Sequence, residues 1–220
     1  MYFYKPNYLQ TDFESALETL GQSFTLNYDE ATPTTFLGLI NDMDFKANIK
    51  GLLDQTRELA VSLDLSIQKG DYLTDSESNI FLVNWQVYKD VNCKRVQLQV
   101  CNYQFEFERW QPKQIDSDGV TSTPASYITI ASVYGYLSRN GQGSFDSREG
   151  QVGVTGSQRV IIGIKYNDDT SELNIHDEFN YFNYRYEITD IDYTQMNSDG
   201  TSGIIFIYGQ VKSGGENAIT

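Results

Sequence analysis

The first part of the chain contains one segment with clear helical periodicity. Thr11–Glu14 has the pattern of a capping box, in which a threonine hydroxyl and a glutamate carboxylate each accept a backbone N–H of the first turn. Apolar residues then follow at positions i, i+4 and i+7: Phe13, Leu17 and Leu20. Gly21 is a typical end, so the pattern predicts an amphipathic helix from Thr11 to Leu20.

Residues 22–60 have a less clear pattern of hydrophobic positions. Asn48–Ala60 has loosely spaced isoleucine and leucine residues, which favour a second, weaker helix. Thr35–Ile40 fits a strand as well as a helix.

From residue 61 onward the chain changes character, because hydrophobic residues alternate with small or polar ones in several runs, which is the period of a half-buried strand. Val160–Ile164 instead has the apolar run of a fully buried strand. Turns rich in Gly, Asn and Asp separate these runs. The predicted strands are Val61–Ile67, Ile80–Val87, Val96–Phe107, Tyr127–Leu137, Val160–Ile164, Tyr184–Ile191 and Ile204–Val211. This spacing predicts a mainly β protein of small barrel or sandwich modules, SH3-like or Ig-like, preceded by the N-terminal helix.

Two stretches interrupt the β pattern and suggest how the chain is divided. Residues 111–126 are turn formers with little to bury, and residues 138–158 contain five glycines. We therefore expect four parts. These are a helix plus barrel-like module (1–110), a linker or long loop (111–126), a second β module with a Gly-rich arm at 138–158 (127–212), and a flexible tail (213–220).

Composition narrows the class of protein. With 40% hydrophobic and 14% aromatic residues, the 220-residue chain is too apolar to be disordered. No stretch approaches the roughly 18–20 apolar residues of a membrane span, and Met1–Pro6 lacks the apolar region of a secretory signal. The formal net charge of −14 disfavours an extended phosphate-binding surface. An acidic surface that maintains solubility is the simplest interpretation of that charge.

The chain offers little catalytic chemistry. His176 is the one histidine, so sites built from two or three imidazoles are excluded, and a Ser–His–Asp triad would depend on this residue alone. Neither a Gly-x-Ser-x-Gly elbow nor a phosphate-binding Walker loop occurs. Cys93 and Cys101 lie in one predicted strand at about 26 Å from each other, so we expect free thiols in a reducing cytoplasm. The sequence thus predicts a protein that is not an enzyme and binds no cofactor.

Acidic residues gather in the second half of the chain. Asp116–Gly119 begins like a calcium loop, but Tyr127 stands where the loop needs a glutamate. Nine carboxylates lie between Asp168 and Asp199, opposed by Arg185. Aromatic residues are interspersed among them: Tyr181, Phe182, Tyr184, Tyr186 and Tyr193. A solvated acidic face, a carbohydrate-binding face and a subunit interface all fit this pattern.

Several motifs resemble those of one protein family. Gly70-Asp71-Tyr72, Ile80–Val83, Tyr88-Lys89 and Val100–Tyr103 occur in the order typical of the head-closure (neck, or stopper) proteins of tailed phages that infect Gram-positive bacteria. Phe81 stands where relatives often carry tryptophan, which preserves an aromatic side chain.

The resemblance extends over most of the chain. The run Tyr184–Asp192, closed by Gly203–Phe206, is similar to the final hairpin of these proteins, and the upstream order of helix and strand also agrees. Residues 127–175 share the general composition of these proteins without a matching motif.

The resemblance implies a virion structural protein, assembled in the host cytoplasm, that forms a homo-oligomeric ring at the head–tail neck. Such a ring contacts the portal or adaptor and the tail proteins, and it conducts double-stranded DNA without sequence-specific binding; no membrane is involved.

Carboxylates along the channel would let DNA pass, and the candidates are Asp168, Asp169, Glu172, Asp177 and Glu178. Candidate subunit or partner contacts are Arg139, Arg148 and Arg159. A tail or baseplate component and a carbohydrate-binding β module are the alternatives.

Overall fold

The computed structural model of the chain describes residues 6–27, 29–42, 56–101, 103–115, 122–137 and 159–212. It divides into two compact units, Met1–Asn102 and Tyr103–Thr220. Both are built mainly from antiparallel strands; the first unit begins with a helix and the second contains a closed barrel. The predicted fold class is therefore confirmed.

Helix α1 spans Pro6–Leu20 and begins five residues before the predicted start. Proline is favourable in the first helical turn because the backbone N–H that it lacks has no partner there in any case. Because the helix starts at Pro6, the predicted capping box at Thr11–Glu14 is wrong. Glu14 lies inside the helix, where its Oε1 accepts a hydrogen bond from Gln10 Nε2 at 3.1 Å. The predicted end is confirmed, since the Gly21 N–H donates to the Leu17 carbonyl at 2.8 Å.

The described residues of the first unit form a seven-stranded antiparallel sheet. Its strands are β1 (Gln22–Leu26), β2 (Thr34–Asp42), β3 (Thr56–Val61), β4 (Tyr72–Asp75), β5 (Ile80–Val83), β6 (Tyr88–Lys89) and β7 (Lys94–Cys101). Their order is β3-β2-β1-β4-β5-β7-β6, and β3 also pairs with β7, so six of the strands form a ring of pairings. The ring encloses an apolar core that includes Phe24, Leu59, Leu73, Val96 and Leu98.

Three predictions for this unit are corrected. The part of the weak helix Asn48–Ala60 that the structure describes, from Thr56 onward, is strand β3, because it pairs on both sides, with β2 and with β7. The strand predicted over Val61–Ile67 is also wrong, because β3 ends at Val61. Ile67 lies in the loop that follows, and its side chain is buried. The strand predicted over Ile80–Val87 ends at Val83.

The second unit contains a closed barrel. Its strands are β8 (Tyr103–Gln111), β11 (Ser126–Leu137), β12 (Arg159–Lys165), β13 (Glu178–Tyr181), β14 (Tyr184–Asp192) and β15 (Ile204–Val211), in the order β11-β12-β15-β14-β13-β8. A short helix, α2 (Asp168–Ser171), is capped at its start by the Asn167 side chain. The barrel core includes Phe105, Phe107, Ile162, Phe179 and Ile188.

The boundary between the units differs from the prediction at residue 110. The strand predicted over Val96–Phe107 is two strands, and β8 belongs to the second unit because it pairs with β11 and β13. Within the predicted linker 111–126, β9 (Gln114–Ile115) and β10 (Ser122–Thr123) pair as a small ribbon. The Gly-rich arm at 138–158 and the tail at 213–220 lie outside the described residues.

Candidate functional site

The pairing of three strands brings three glutamates side by side on the outside of the barrel. Glu178 of β13 lies opposite Glu187 of β14 on one side and opposite Glu108 of β8 on the other. Their sequence neighbours Phe107, Phe179 and Ile188 point into the core. Like charges in directly opposite positions repel each other, so this row requires cations close by.

Arg185 and Lys212 supply this positive charge. The Arg185 Nη2 donates to Glu108 Oε2 at 2.8 Å, and its Nε donates to Glu178. The Lys212 Nζ donates to the other oxygen of Glu178 at 2.5 Å. Glu178 is only 3% exposed. Burial alone would raise the pKa of Glu178, but the hydrogen bonds from Lys212 and Arg185 outweigh it and hold the pKa below its usual value.

Tyr127 completes the surroundings of Glu178. Its hydroxyl donates to the Glu178 carboxylate at 3.2 Å from Oε2, and the Arg185 guanidinium lies over its ring, 4.0 Å from the centroid. The hydrogen bond and the cation–π contact together fix the orientation of this ring. Trp110 lies opposite Tyr127 in the β8–β11 pairing, with the two ring centroids 4.9 Å apart.

A second buried ion pair holds the loop before β13. Asp177, 2% exposed, accepts two hydrogen bonds from Arg109, at 2.7 Å from Nε and 2.9 Å from Nη2. The same Nη2 donates to the Glu172 carbonyl at 2.7 Å, and the Asn174 N–H donates to Asp177 Oδ2 at 2.7 Å. The hydrogen bond to Asp177 raises the pKa of Arg109 above its usual value, opposed by burial. Asp177 therefore fixes the turn at 172–177 to strand β8.

Residues of both ion-pair groups line a cavity of about 480 Å³. Arg109, Asp177, Glu178 and Lys212 form its charged part. Trp110 and Ile175 form an apolar part and are 49% and 52% exposed. His176 and Glu187 also line it, and the His176 Nδ1 lies 2.5 Å from Glu187 Oε1. We call this cavity the aromatic–ionic pocket.

The structure divides the five predicted channel-facing acids into two groups. Asp177 and Glu178 are buried and paired with cations of the same unit, which differs from the solvated acids that the prediction expected; their place on a channel wall stays a prediction. Asp168, Asp169 and Glu172 are exposed. The first two lie in the first turn of α2.

Of the three predicted partner-contact arginines, Arg159 is described. It is exposed at the start of β12, opposite Gln210 of β15. Arg139 and Arg148 lie outside the described residues, so their role stays a prediction.

The predicted tyrosine-rich face is not one continuous surface. Tyr186 is buried and stacks on Phe179, with ring centroids 5.4 Å apart. Tyr181 is half-buried and packs against Tyr103. Phe182, Tyr184 and Tyr193 stay exposed. The aromatic groups that meet charged side chains in a cavity are instead Trp110 and Tyr127, which the sequence pattern did not indicate.

Other chemistry in the described part of the chain is sparse. Cys93 and Cys101 are free, buried thiols, and burial raises the pKa of each. Among the residues described, no group of three His, Cys, Asp or Glu side chains is placed to hold a metal ion. Asp116–Gly119 lies outside the described ranges. None of the described helices has the length and apolar character needed to cross a bilayer.

Comparison with known proteins relates the second unit to phage proteins. Residues 110–210 match the family model of the YomX C-terminal domain, a phage-derived family of the Bacillus prophage SPbeta. This match supports the phage origin that the motif resemblance predicts. It includes Trp110, Tyr127 and the loop 172–177, whereas Arg109 and Lys212 lie just outside it.

The remaining comparisons add no functional information. The search of curated proteins found no match. The solved structure of MrkH, titled a novel c-di-GMP dependence transcription regulatory factor, aligns over 94% of this chain and 83% of its own, with 11% identity and a TM-score of 0.20. A score this low carries no argument about fold or function.

Proposed function

We propose that this chain is a structural protein of a phage virion that forms a homo-oligomeric ring at the head–tail neck. In this role it contacts the portal or adaptor on one side and tail proteins on the other, and it helps to retain and conduct the genome. The match of residues 110–210 to a phage-derived domain supports the phage part of this proposal. The neck position and the ring follow from the motif resemblance to head-closure proteins.

The charge of the chain supports passage of DNA rather than its binding. The formal net charge is −14, and Asp168, Asp169 and Glu172 are exposed. The cations of the aromatic–ionic pocket are each held by a carboxylate of the same unit, which leaves them unsuited to phosphates. A channel lined by such a surface would repel the DNA backbone and would not retain it at discrete sites.

We also propose that the chain works without catalysis and without a cofactor. Its two buried thiols have raised pKa values, which disfavours the thiolate that nucleophilic chemistry requires. His176 is exposed, and its one described side-chain partner is Glu187. A role based on shape and assembly needs none of these groups to react.

Labelling of intact particles tests the proposed position. Antibodies against the chain, coupled to gold, should mark the neck of virions viewed by negative-stain electron microscopy. Label at the tail tip would instead favour the alternative, a tail or baseplate component, which the same family match also allows. Particles that carry no label at all, with the chain confined to infected cells, would contradict a virion role altogether.

A separate measurement tests the ring. Native mass spectrometry of the purified chain, alone and with its portal or adaptor protein, should give one closed oligomer of defined copy number. A chain that stays monomeric under both conditions would contradict the ring while leaving presence in the virion open to the labelling result.

A further inference from the structure

We propose that the aromatic–ionic pocket binds a neutral carbohydrate, with a sugar ring packed on Trp110 and its hydroxyl groups bound by the charged side chains of the cavity. This function goes beyond a role in assembly, and it does not depend on where in the particle the protein lies.

The first argument is the aromatic wall. Trp110 is 49% exposed beside the cavity, although a large apolar side chain is more favourable in a core. Its neighbour Tyr127 is held by Glu178 and by Arg185, so the wall keeps its shape without a ligand. The C–H face of a sugar ring is apolar and flat, and it packs well on an indole ring. Ile175 extends the apolar surface on the loop that Asp177 fixes.

The second argument is the balance of charge. Arg109 is paired with Asp177, and Lys212 is paired with Glu178. A phosphate or sulfate group would have to compete with these buried carboxylates for its cations, which disfavours an anionic ligand. Counting Glu187 as well, the pocket is lined by three carboxylates and by the two cations Arg109 and Lys212, so no strong charge selects a ligand of either sign.

The third argument is hydrogen bonding. Sugar hydroxyls donate and accept at once, and they bind best where donors and acceptors stand side by side. The partly exposed side chains of the pocket supply both: Arg109 and Lys212 carry N–H donors, and Glu187 carries carboxylate oxygens. Trp110 and Asn174 also belong to the lining. Because these groups already hold one another in place, little ordering is needed when a ligand binds.

The size of the cavity agrees with a small ligand. Its volume of about 480 Å³ lies within the range of roughly 300–1,000 Å³ that is typical of small-molecule sites. The cavity is confined to the second unit, within residues 109–212, so a single chain forms it.

A glycan array probed with the full-length chain tests the proposal. The array should carry neutral and N-acetylated oligosaccharides beside sulfated and phosphorylated ones. We expect reproducible binding to at least one neutral oligosaccharide, reduced by about ten-fold or more in Trp110→Ala because the stacking contact is lost. Trp85→Ala is the matched control: Trp85 is 63% exposed, lies in the first unit and should leave binding unchanged.

A second measurement leaves the pocket intact. The chain has two tryptophans, so Trp85→Phe makes Trp110 the sole reporter, and its fluorescence should shift and saturate with the oligosaccharide identified on the array. The proposal is overturned if no neutral sugar binds at millimolar concentration, if Trp110→Ala binds as well as the parent chain, or if only phosphorylated or sulfated sugars bind. Each of these results leaves the particle labelling unaffected, so the two proposals fail separately.

Discussion

Arg109 and Asp177, 68 positions apart in the chain, form a two-point ion pair with N–O distances of 2.7 and 2.9 Å. Arg109 belongs to the first strand of the barrel, and Asp177 ends the loop that leads into β13. The pair therefore closes the barrel locally, since β8 and β13 are hydrogen-bonded neighbours beside it. It also sets the position of Ile175 and His176 at the aromatic–ionic pocket.

Replacement of Asp177 should destabilise the barrel. In Asp177→Asn, the amide nitrogen cannot accept a hydrogen bond from Arg109, and the neutral side chain cannot balance the charge of the guanidinium. We expect a loss of roughly 1.5–3 kcal/mol in the free energy of unfolding, the usual value of hydrogen bonds to charged groups. Urea unfolding followed by circular dichroism measures it. Asp168→Asn, at an exposed site, is the control, and equal stabilities of the two variants would contradict the structural role of Asp177.

Glu178 predicts a pH dependence of stability. Its pKa is lower in the folded chain than the ordinary value of 4.5, so its ion pairs contribute fully above about pH 4.5. This contribution is lost as the pH falls below 4.5 and through the lowered pKa of the folded state. The parent chain should thus lose stability on acidification more steeply than Glu178→Gln, whose amide does not titrate.

The measurement is the urea midpoint of both chains between pH 6 and pH 3. Glu77→Gln, at an exposed turn between β4 and β5, should retain the slope of the parent chain. If Glu178→Gln also retains it, the pairing of Glu178 with Arg185 and Lys212 does not govern the acid sensitivity.

Gly209 should not tolerate a larger side chain. A Cβ atom at this position would lie 2.6 Å from Cζ of Phe179, whose ring is fully buried. Because the ring has no free space to move into, Gly209→Ala should lower the free energy of unfolding by about 1–3 kcal/mol. Thermal unfolding measures the change, with the exposed neighbour Gln210→Ala as control. A variant as stable as the parent chain would mean that Phe179 packs elsewhere.

The two thiols should be unreactive in the folded chain. Cys93 and Cys101 are buried, and burial raises the pKa of each, so the thiolate fraction at pH 8 is small. A thiol reagent such as Ellman's reagent should report almost no reaction in buffer and two thiols per chain in urea. Rapid reaction in buffer would contradict the burial, and fewer than two thiols in urea would reveal a disulfide.

The exposed acids of the second unit bear on the proposed DNA channel. Replacement of Asp168, Asp169 and Glu172 by lysine creates a cluster of cations that attracts phosphates. Genome release from virions carrying this triple variant should be slower than from virions carrying the neutral Asn, Asn and Gln replacements, and the difference should shrink as salt is added. Equal release rates of the two variants would place these residues away from the DNA path.

Local patterns along the chain predicted much of the barrel. The apolar run after the turn at 197–203 predicted β15 with its observed ends, Ile204–Val211, and its pairing with the strand that starts at Tyr184 is confirmed. The end of α1 next to Gly21 also followed from sequence, because a helix stop depends on its last few residues. The periodicity of apolar residues and the residue types that form turns depend only on residues close together in the chain, so both can be recognised in the sequence.

Where strands pair with distant parts of the chain, the same patterns were insufficient. Thr56–Ala60, the described part of the weak helix predicted over Asn48–Ala60, is a strand, since β2 and β7 supply hydrogen bonds on both of its sides. Likewise, β8 follows β7 almost directly yet belongs to the other unit. Such outcomes depend on partners tens of residues away, whose energy outweighs local preference.

The sequence by itself determined the fold class, a mainly β protein. Where apolar residues alternate with polar ones, a strand places all of its apolar side chains on one face, and that face is stable when it is buried. Only the tertiary structure decided which acids remain in water. Asp177 and Glu178 look like their neighbours Asp168 and Asp169 in the sequence, but the closed barrel buries them against Arg109, Arg185 and Lys212. Burial of a carboxylate is unfavourable unless a cation lies at hydrogen-bonding distance to offset the loss of hydration. The register of the strands determines where those cations lie.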